Sequence, residues 1–225
     1  MAQPVNRFEF PKGVGSRQGL KSPVAVASFP KILEPDAKFG SPAYSVGLVF
    51  DPSDPAFKAL ESDILKAHGE AVKYAEENAP KTRDNKGNVK PLAVVDPPIS
   101  VQLDRDKNPT GKMVVKFKLN AAFKDRKTGA ERLRPLPVYN GKAQPWPKNV
   151  EVGGGSRLRV YYDVSPFYTA GIGVGVSLRM SAVVVVEARS YGPKIEVEDD
   201  CVLPEGGDAL PEGVAGTPPT EAGGF

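Results

Sequence analysis

The sequence contains very little of the chemistry on which most enzymes and zinc sites depend. Its 225 residues include one cysteine, Cys201, and one histidine, His68. A single cysteine excludes an intrachain disulfide framework, and one cysteine with one histidine cannot form a Cys/His zinc cluster. Cysteine or serine catalysis also needs an imidazole, and the only one lies in a stretch with the pattern of a surface helix. We therefore expect no metal, no cofactor and no catalytic activity.

Long apolar runs are also missing. No run reaches the roughly 18 apolar residues of a membrane span, and the opening residues MAQPVNRFEFPKG lack the apolar centre of a secretory signal. These absences predict a soluble, cytoplasmic protein with no membrane partner. At 40% hydrophobic residues, the chain can fill one sizeable core.

Acidic and basic residues are distributed unevenly along the chain. The formal net charge is +3, yet from Ile195 onward there are eight acids and no lysine or arginine. That tail therefore carries −8, which leaves +11 for residues 1–194. A basic body with an acidic tail predicts a surface for a polyanion, beside a tether that competes with it or recruits a partner.

The C-terminal segment, residues 193–225, is rich in glycine, proline and acids and has few apolar side chains. Such a composition cannot bury a core, so we expect a disordered acidic tail. The residues of the tail that we expect to contact partners are Glu196, Glu198, Asp199, Asp200 and the terminal Phe225.

The rest of the chain divides into an arm and one domain. Residues 1–22 are polar and contain glycine, which predicts a loose arm that Phe8 and Phe10 could attach to the body. Residues 23–192 are predicted to form the domain. Its first strand candidates, bounded by proline or glycine, are residues 23–33 and 43–50.

One long helix follows the second of these strands. Asp54 is a suitable N-cap, Pro55 fits the first helical position, and Pro80 stops the helix. The narrow apolar stripe predicts a helix on the surface of the domain. The residues of this stripe are Phe57, Leu60, Ile64, Ala67, Ala71 and Ala75. Residues 80–98 are rich in turn residues, and we expect a long mobile loop there.

Two later segments alternate between apolar and basic residues, as strands with one buried side do. The apolar sides are Met113, Val115, Phe117, Leu119 and Ala121 in the first segment, and Leu158, Val160, Tyr162 and Val164 in the second. The opposite sides carry Lys112, Lys116 and Lys118, and Arg157, Arg159 and Tyr161. Three glycines, residues 153–155, form a bend before the second segment, and residues 172–191 predict one long strand. The whole pattern indicates a mainly β fold, a small barrel with one inserted helix.

If those two strands are neighbours, their outward sides form a cationic face that contains an aromatic ring. Single-stranded nucleic acid binds to such faces, because cations follow the phosphates and rings stack on bases. Phe167 and Tyr168, with Tyr139 and Trp146, lie in predicted loops and could add further rings. Phe117 and Phe123 are assigned to the core. The residue pattern alone leaves open an ordinary solvated face, a scaffolding barrel that binds an acidic protein, and RNA binding.

The motifs resemble those of the single-stranded DNA-binding proteins of short-tailed bacteriophages of the T7 type. The resemblance is carried by VGGGSRLRVYYDVSPFYTAGIGVGVSLRM with VVVVEARSYG, by VKFKLNAAFKDRKTG, by FGSPAYSVGLVFDPSDP and by an acidic tail that ends in Phe225. It covers most of residues 20–192 with gaps. The family implies an OB-fold barrel with a five-stranded core and an added surface helix, and no catalysis.

The resemblance also implies a biological setting. It implies a protein that coats single-stranded DNA in replication, recombination and repair in the cytoplasm of the infected bacterium. It further implies a homodimer whose acidic tail contacts the phage DNA polymerase and helicase-primase. Arg157, Arg159, Tyr161 and Phe167 match the family's basic strand and proline-aromatic turn, with Phe167 where the family favours tyrosine. Ala43 stands where the family favours a basic residue.

Overall fold

Ten strands and one helix make up the part of the chain that the computed structural model describes: residues 8–38, 40–81, 89–124, 131–147 and 149–190. The predicted tail, residues 193–225, and Cys201 lie outside these residues. The strands are β1 (Arg17–Lys21), β2 (Ala25–Asp36), β3 (Ala43–Phe50), β4 (Ile99–Leu103), β5 (Pro109–Asn120), β6 (Ala122–Lys124), β7 (Glu131–Leu133), β8 (Val138–Asn140), β9 (Arg157–Thr169) and β10 (Gly173–Glu187), and the helix α1 spans Pro55–Asn78.

Five of the strands form the barrel. They pair in the order β2–β3–β5–β10–β9, and β9 pairs with β2 again, so the pairings form a ring. All neighbours are antiparallel except β5 and β10, which run parallel and share the single bridge pair Lys118–Arg179. A five-stranded barrel of this kind is an OB-fold, as predicted. The strands β1, β4 and β8 extend it at β9, β5 and β10.

The core fills the inside of the barrel with the side chains that alternation places there. Phe117 is 1% exposed and its ring meets that of Tyr162 edge to face at 5.0 Å. Burial raises the pKa of Tyr162 to about 12, with the nearby Asp63 as a second cause. Every apolar position predicted for the two alternating strands is buried except Met113, which is half-buried. The alternation of these strands is therefore confirmed.

Phe123 contradicts its predicted place in the core. It lies on the two-stranded ribbon β6–β7, which is separate from the barrel sheet, and is 40% exposed. The guanidinium carbon of Arg134 lies 5.3 Å from the centre of its ring. Because the strand register does not continue from β5 into β6, alternation along β5 says nothing about this side chain.

The helix α1 begins and ends as predicted and is inserted between the second and third barrel strands. The Asp54 carboxylate accepts a hydrogen bond from the Ala56 amide at 2.8 Å, which caps the first turn. Phe57 is buried and stacks on Phe50 at a ring distance of 5.4 Å. All six residues of the predicted apolar stripe are buried, and the helix packs against β9 and β10. None of the described helical residues forms a segment long and apolar enough to cross a bilayer.

The segment predicted to be a loose arm contains a strand that the sequence analysis missed. β1 pairs with β9, with Lys21 opposite Tyr161 and Arg17 opposite Val164. Arg17 also donates a hydrogen bond to Glu70 on α1 at 2.8 Å, and this bond holds the pKa of Glu70 below its usual value. Earlier in the segment Phe8 packs against Tyr168, as its expected attachment requires.

The chain after α1 returns to the barrel. Within residues 89–98, Ala93 accepts a hydrogen bond from the Val174 amide, and Val95 donates one to the Val174 carbonyl. The His68 Nε2 lies 2.8 Å from the Val95 carbonyl oxygen. A carbonyl oxygen only accepts hydrogen bonds, so His68 is the donor. The next residues form β4, which the sequence analysis did not predict. Residues 89–98 form no helix or strand, as the expected loop requires, although the hydrogen bonds above hold them to β10 and α1. Residues 82–88 lie outside the described part, and the mobility of the loop stays a prediction.

Candidate nucleic-acid interface

The outward side of β5 carries the three predicted lysines. Lys112, Lys116 and Lys118 are all exposed, and they alternate with the buried residues of the same strand. The condition that β5 and β9 be neighbours is not met, because β10 lies between them on one side and β2 and β3 on the other. The lysines and the arginines of β9 therefore occupy different parts of the barrel's outer surface.

A line of cations crosses the barrel at the level of Lys118. Lys118 is paired with Arg179 on β10 and with Ser45 on β3, and Ser45 is paired with Lys31 on β2. Lys31, Lys118 and Arg179 are all exposed, and we call them the cation row. With neighbouring strands about 4.8 Å apart, the row spans about 14 Å perpendicular to the strands. The sequence analysis missed Lys31 and Arg179.

Lys31 faces outward because β2 changes its alternation at a bulge. Ala25 and Ala27 are buried, so strict alternation would also bury residues 29 and 31. The register instead shifts between Ser28 and Lys31, and the buried position moves to Ile32. A β-bulge commonly re-aims side chains in this way.

The predicted residues of β9, Arg157, Arg159 and Tyr161, lie in the first half of that strand. Arg157 is exposed and is paired with Val26 on β2, while Tyr161 is 37% exposed. Arg159 is half-buried, and its Nε has no hydrogen-bond partner among the described residues. Arg157 and Phe167 are ten positions apart, or about 33 Å along an extended strand. These two predicted residues cannot hold the same nucleotide.

Phe167 and Tyr168 lie within β9 and not in the predicted turn. Phe167 is half-buried on the outward side, and its ring lies across Gly175 of β10, where a side-chain carbon would come within 2.9 Å of the ring. Tyr168 points the other way, where its ring meets Phe8 at 5.1 Å and its hydroxyl donates to the Pro80 carbonyl at 3.3 Å. The structure therefore separates Tyr168 from the cation row and leaves Phe167 on the same outer surface.

Tyr139 and Trp146 belong to the segment between β7 and β9. Tyr139 lies in β8, not in a loop, and is paired with Val184 of β10. Trp146 packs against the core, and its indole nitrogen donates to the Val150 carbonyl at 2.9 Å. Trp146 nevertheless borders an open depression of the surface, which we call the barrel groove.

The barrel groove has a volume of about 1350 Å³. Its lining includes Val26 and Val49, which are paired with each other on β2 and β3. Polar and aromatic residues of the lining include Phe29, Lys31, Glu34, Asp51, Gln102, Lys112, Trp146 and Glu151, and residues 153–155 also line it. The predicted glycine triplet thus borders a depression, and at Gly155 a φ of +90° requires glycine. No group of three or more metal-binding side chains occurs in the described part of the chain.

Known proteins are similar to this chain in sequence and in fold. The family described as "Single-stranded DNA-binding protein, Bacteriophage T7" matches residues 18–188. The chain belongs to this family. Its members include the single-stranded DNA-binding protein of Enterobacteria phage T3, which is 31% identical over 181 residues, or 77% of this chain and 75% of that protein. The corresponding protein of Escherichia phage T7 is 30% identical over 184 residues, or 79% and 76% of the two chains.

A solved structure agrees with the family assignment. The crystal structure of gp2.5, a single-stranded DNA-binding protein encoded by bacteriophage T7, superposes with a TM-score of 0.60 at 26% identity. The match covers 82% of this chain and 97% of that one. The T7-type resemblance is thereby confirmed.

The resemblance implies departures from the family pattern at Ala43 and Phe167. Ala43, at the start of β3, is 8% exposed and adds no charge to the surface. Phe167 supplies an aromatic ring on the outward side of β9. The tail residues Glu196, Glu198, Asp199, Asp200 and Phe225 lie outside the described residues, and their roles stay predictions.

Proposed function

We propose that this protein binds single-stranded DNA, largely without sequence preference, during phage DNA replication and recombination. The observation that carries the proposal is the cation row across an OB-fold barrel in a family named for single-stranded DNA binding. Exposed cations follow a flexible phosphate backbone without reading the bases. Lys112 and Lys116 extend the row along β5, and Phe167 adds a ring on the same surface. Binding, not catalysis, is the activity that this surface supports.

The test compares one labelled single-stranded oligonucleotide with the matching duplex and the matching RNA strand, each at low and moderate salt. We expect the single strand to bind more tightly than the duplex and to be weakened by salt. The matching RNA strand tests the alternative of RNA binding. This arm is needed because we identify no residue on this surface that would read the 2′-hydroxyl and so separate RNA from DNA. Equal binding of single strand and duplex, or none at all, would favour the alternative of a barrel that binds an acidic protein.

The acidic tail is proposed to compete with DNA for the basic surface and to recruit the phage DNA polymerase and helicase-primase. Its charge of −8 opposite a body of +11 supports this proposal. Removing residues 195–225 should tighten DNA binding at low salt and abolish the recruitment. The control is a full-length chain whose tail acids are replaced by their amides, which should behave as the truncated chain does in DNA binding. Unchanged DNA affinity in both chains would contradict the competition.

We also propose a homodimer that acts in the cytoplasm of the infected bacterium. The family resemblance supports both statements. Sedimentation at increasing protein concentration should yield the mass of two chains of 24.0 kDa. A constant monomer mass would contradict the dimer without affecting DNA binding.

A further inference from the structure

Phe29 is the most exposed of the large apolar side chains that the structure describes. It is 89% exposed and stands on the bulge of β2, next to Ser28 and Pro30. Its φ is +47°, a backbone conformation that is uncommon for bulky residues and that glycine adopts without strain. A phenylalanine here gains almost no burial. The fold therefore does not explain the choice of an aromatic side chain at this position.

Phe29 lines the barrel groove. Val26 and Val49 line the same groove and contribute apolar surface to it, and Val26 is itself 43% exposed. Lys31 lies two residues further along the same strand and belongs to the cation row. Phe29 thus connects the row of cations to an open apolar depression.

The charges around the barrel groove indicate which part of a nucleotide it accepts. Its lining holds the cations Lys31 and Lys112 but also the carboxylates of Glu34, Asp51 and Glu151. A phosphate would be repelled by three carboxylates. A base carries no charge and has a flat apolar face for stacking. Its amino and imino N–H groups can donate hydrogen bonds to carboxylates.

We propose that the barrel groove is a base-binding subsite in which Phe29 stacks on one unstacked base of single-stranded DNA. The adjoining phosphates then lie on the cation row, outside the carboxylates. The inference rests on the proposed function, since it assigns a place to the base of the strand that the row binds. Gly153 and Gly154 also line the groove and carry no side chain, which leaves room for the base.

Phe29→Leu tests the subsite, because it keeps apolar bulk but removes the flat ring. Binding is measured by fluorescence anisotropy with a labelled oligonucleotide over a series of salt concentrations. We expect an affinity about 5- to 150-fold lower than that of the unchanged protein, the range for losing one stacked base. The dependence on salt should stay the same, because no phosphate contact is lost. Phe29→Tyr should bind as the unchanged protein does.

Two controls separate a base contact from a general effect. Phe123→Leu alters another exposed phenylalanine on the β6–β7 ribbon and should leave the affinity unchanged. An oligonucleotide of the same length with abasic residues should bind equally well to the unchanged protein and to Phe29→Leu.

The outcomes distinguish the subsite from the function on which it rests. If the unchanged protein prefers single-stranded DNA but Phe29→Leu binds within twofold of it, the subsite is refuted and the proposed function stands. An equal loss with the abasic strand also refutes it, because the ring would then not contact a base. If the unchanged protein shows no preference for single strands, both proposals fall together.

Discussion

The cation row allows a quantitative prediction of how salt affects binding. Replacing Lys31, Lys118 and Arg179 with glutamine removes three exposed positive charges and no buried side chain. Each phosphate contacted in a single strand contributes about −0.7 to the slope of log affinity against log salt, so three lost contacts reduce the slope by about 2. Between about 50 and 200 mM salt, the ratio of the affinity of the unchanged protein to that of the variant should consequently shrink by about 20-fold.

The measurement is anisotropy of a labelled single-stranded oligonucleotide, titrated at five or more salt concentrations with each protein. The matched control replaces Lys58, Lys66 and Lys73, three exposed lysines on α1, which changes the net charge by the same amount. Parallel slopes for the unchanged protein and the row variant would refute the assignment of the row. A slope reduced as much by the helix variant would refute it too, since the effect would then depend on net charge alone.

Two further predictions concern the scaffold that supports this surface. Gly175→Ala should lower the free energy of unfolding by about 1–3 kcal/mol, because the new carbon would lie 2.9 Å from the Phe167 ring and 3.1 Å from the Val95 Cβ, which stands next to the backbone. Gly171→Ala, where nothing lies within 4 Å, should leave thermal unfolding unchanged; equal behaviour of the two variants would contradict the prediction. Arg17 lowers the pKa of Glu70 in the folded protein. The pair therefore stabilises the fold at pH values above the pKa that Glu70 has in the unfolded chain, and this stabilisation is lost as the pH falls through its pKa in the folded protein. Between about pH 5 and about pH 3, the melting temperature should fall less steeply for Glu70→Gln than for the unchanged protein, and identical pH dependence would contradict the role of the pair.

Local patterns were sufficient to predict the elements whose signals lie within a few residues. The helix follows from the Asp54 cap, the 3.6-residue stripe and Pro80, all of which are contiguous in the chain. β9 follows from strict alternation over residues 157–164, and β5 follows from alternation over residues 115–121, which Val114 interrupts. In each case the burial pattern in the structure repeats the sequence pattern.

Pairings between distant parts of the chain could not be predicted in this way. β1 is short, contains Gly19 and buries no residue fully, so only its pairing with β9, some 140 residues away, makes it a strand. The cation row depends on the register of four strands and on the bulge that turns Lys31 outward. The predicted proline-aromatic turn is wrong for the same reason, because Pro166 lies within β9 opposite Val176. Tertiary pairing overrides such local signals.

The parallel contact between β5 and β10 gives the barrel a seam. Only the pair Lys118–Arg179 bridges it, and both side chains are cations that face the same side. Like charges directly opposite each other in a sheet repel. The pairing of β5 with β10 is therefore the weakest strand pairing of the ring. An anion seated between the two side chains would remove this repulsion. Binding would then tighten the barrel itself, and amide hydrogen exchange along β5 and β10 should slow in the complex more than along β2 and β3.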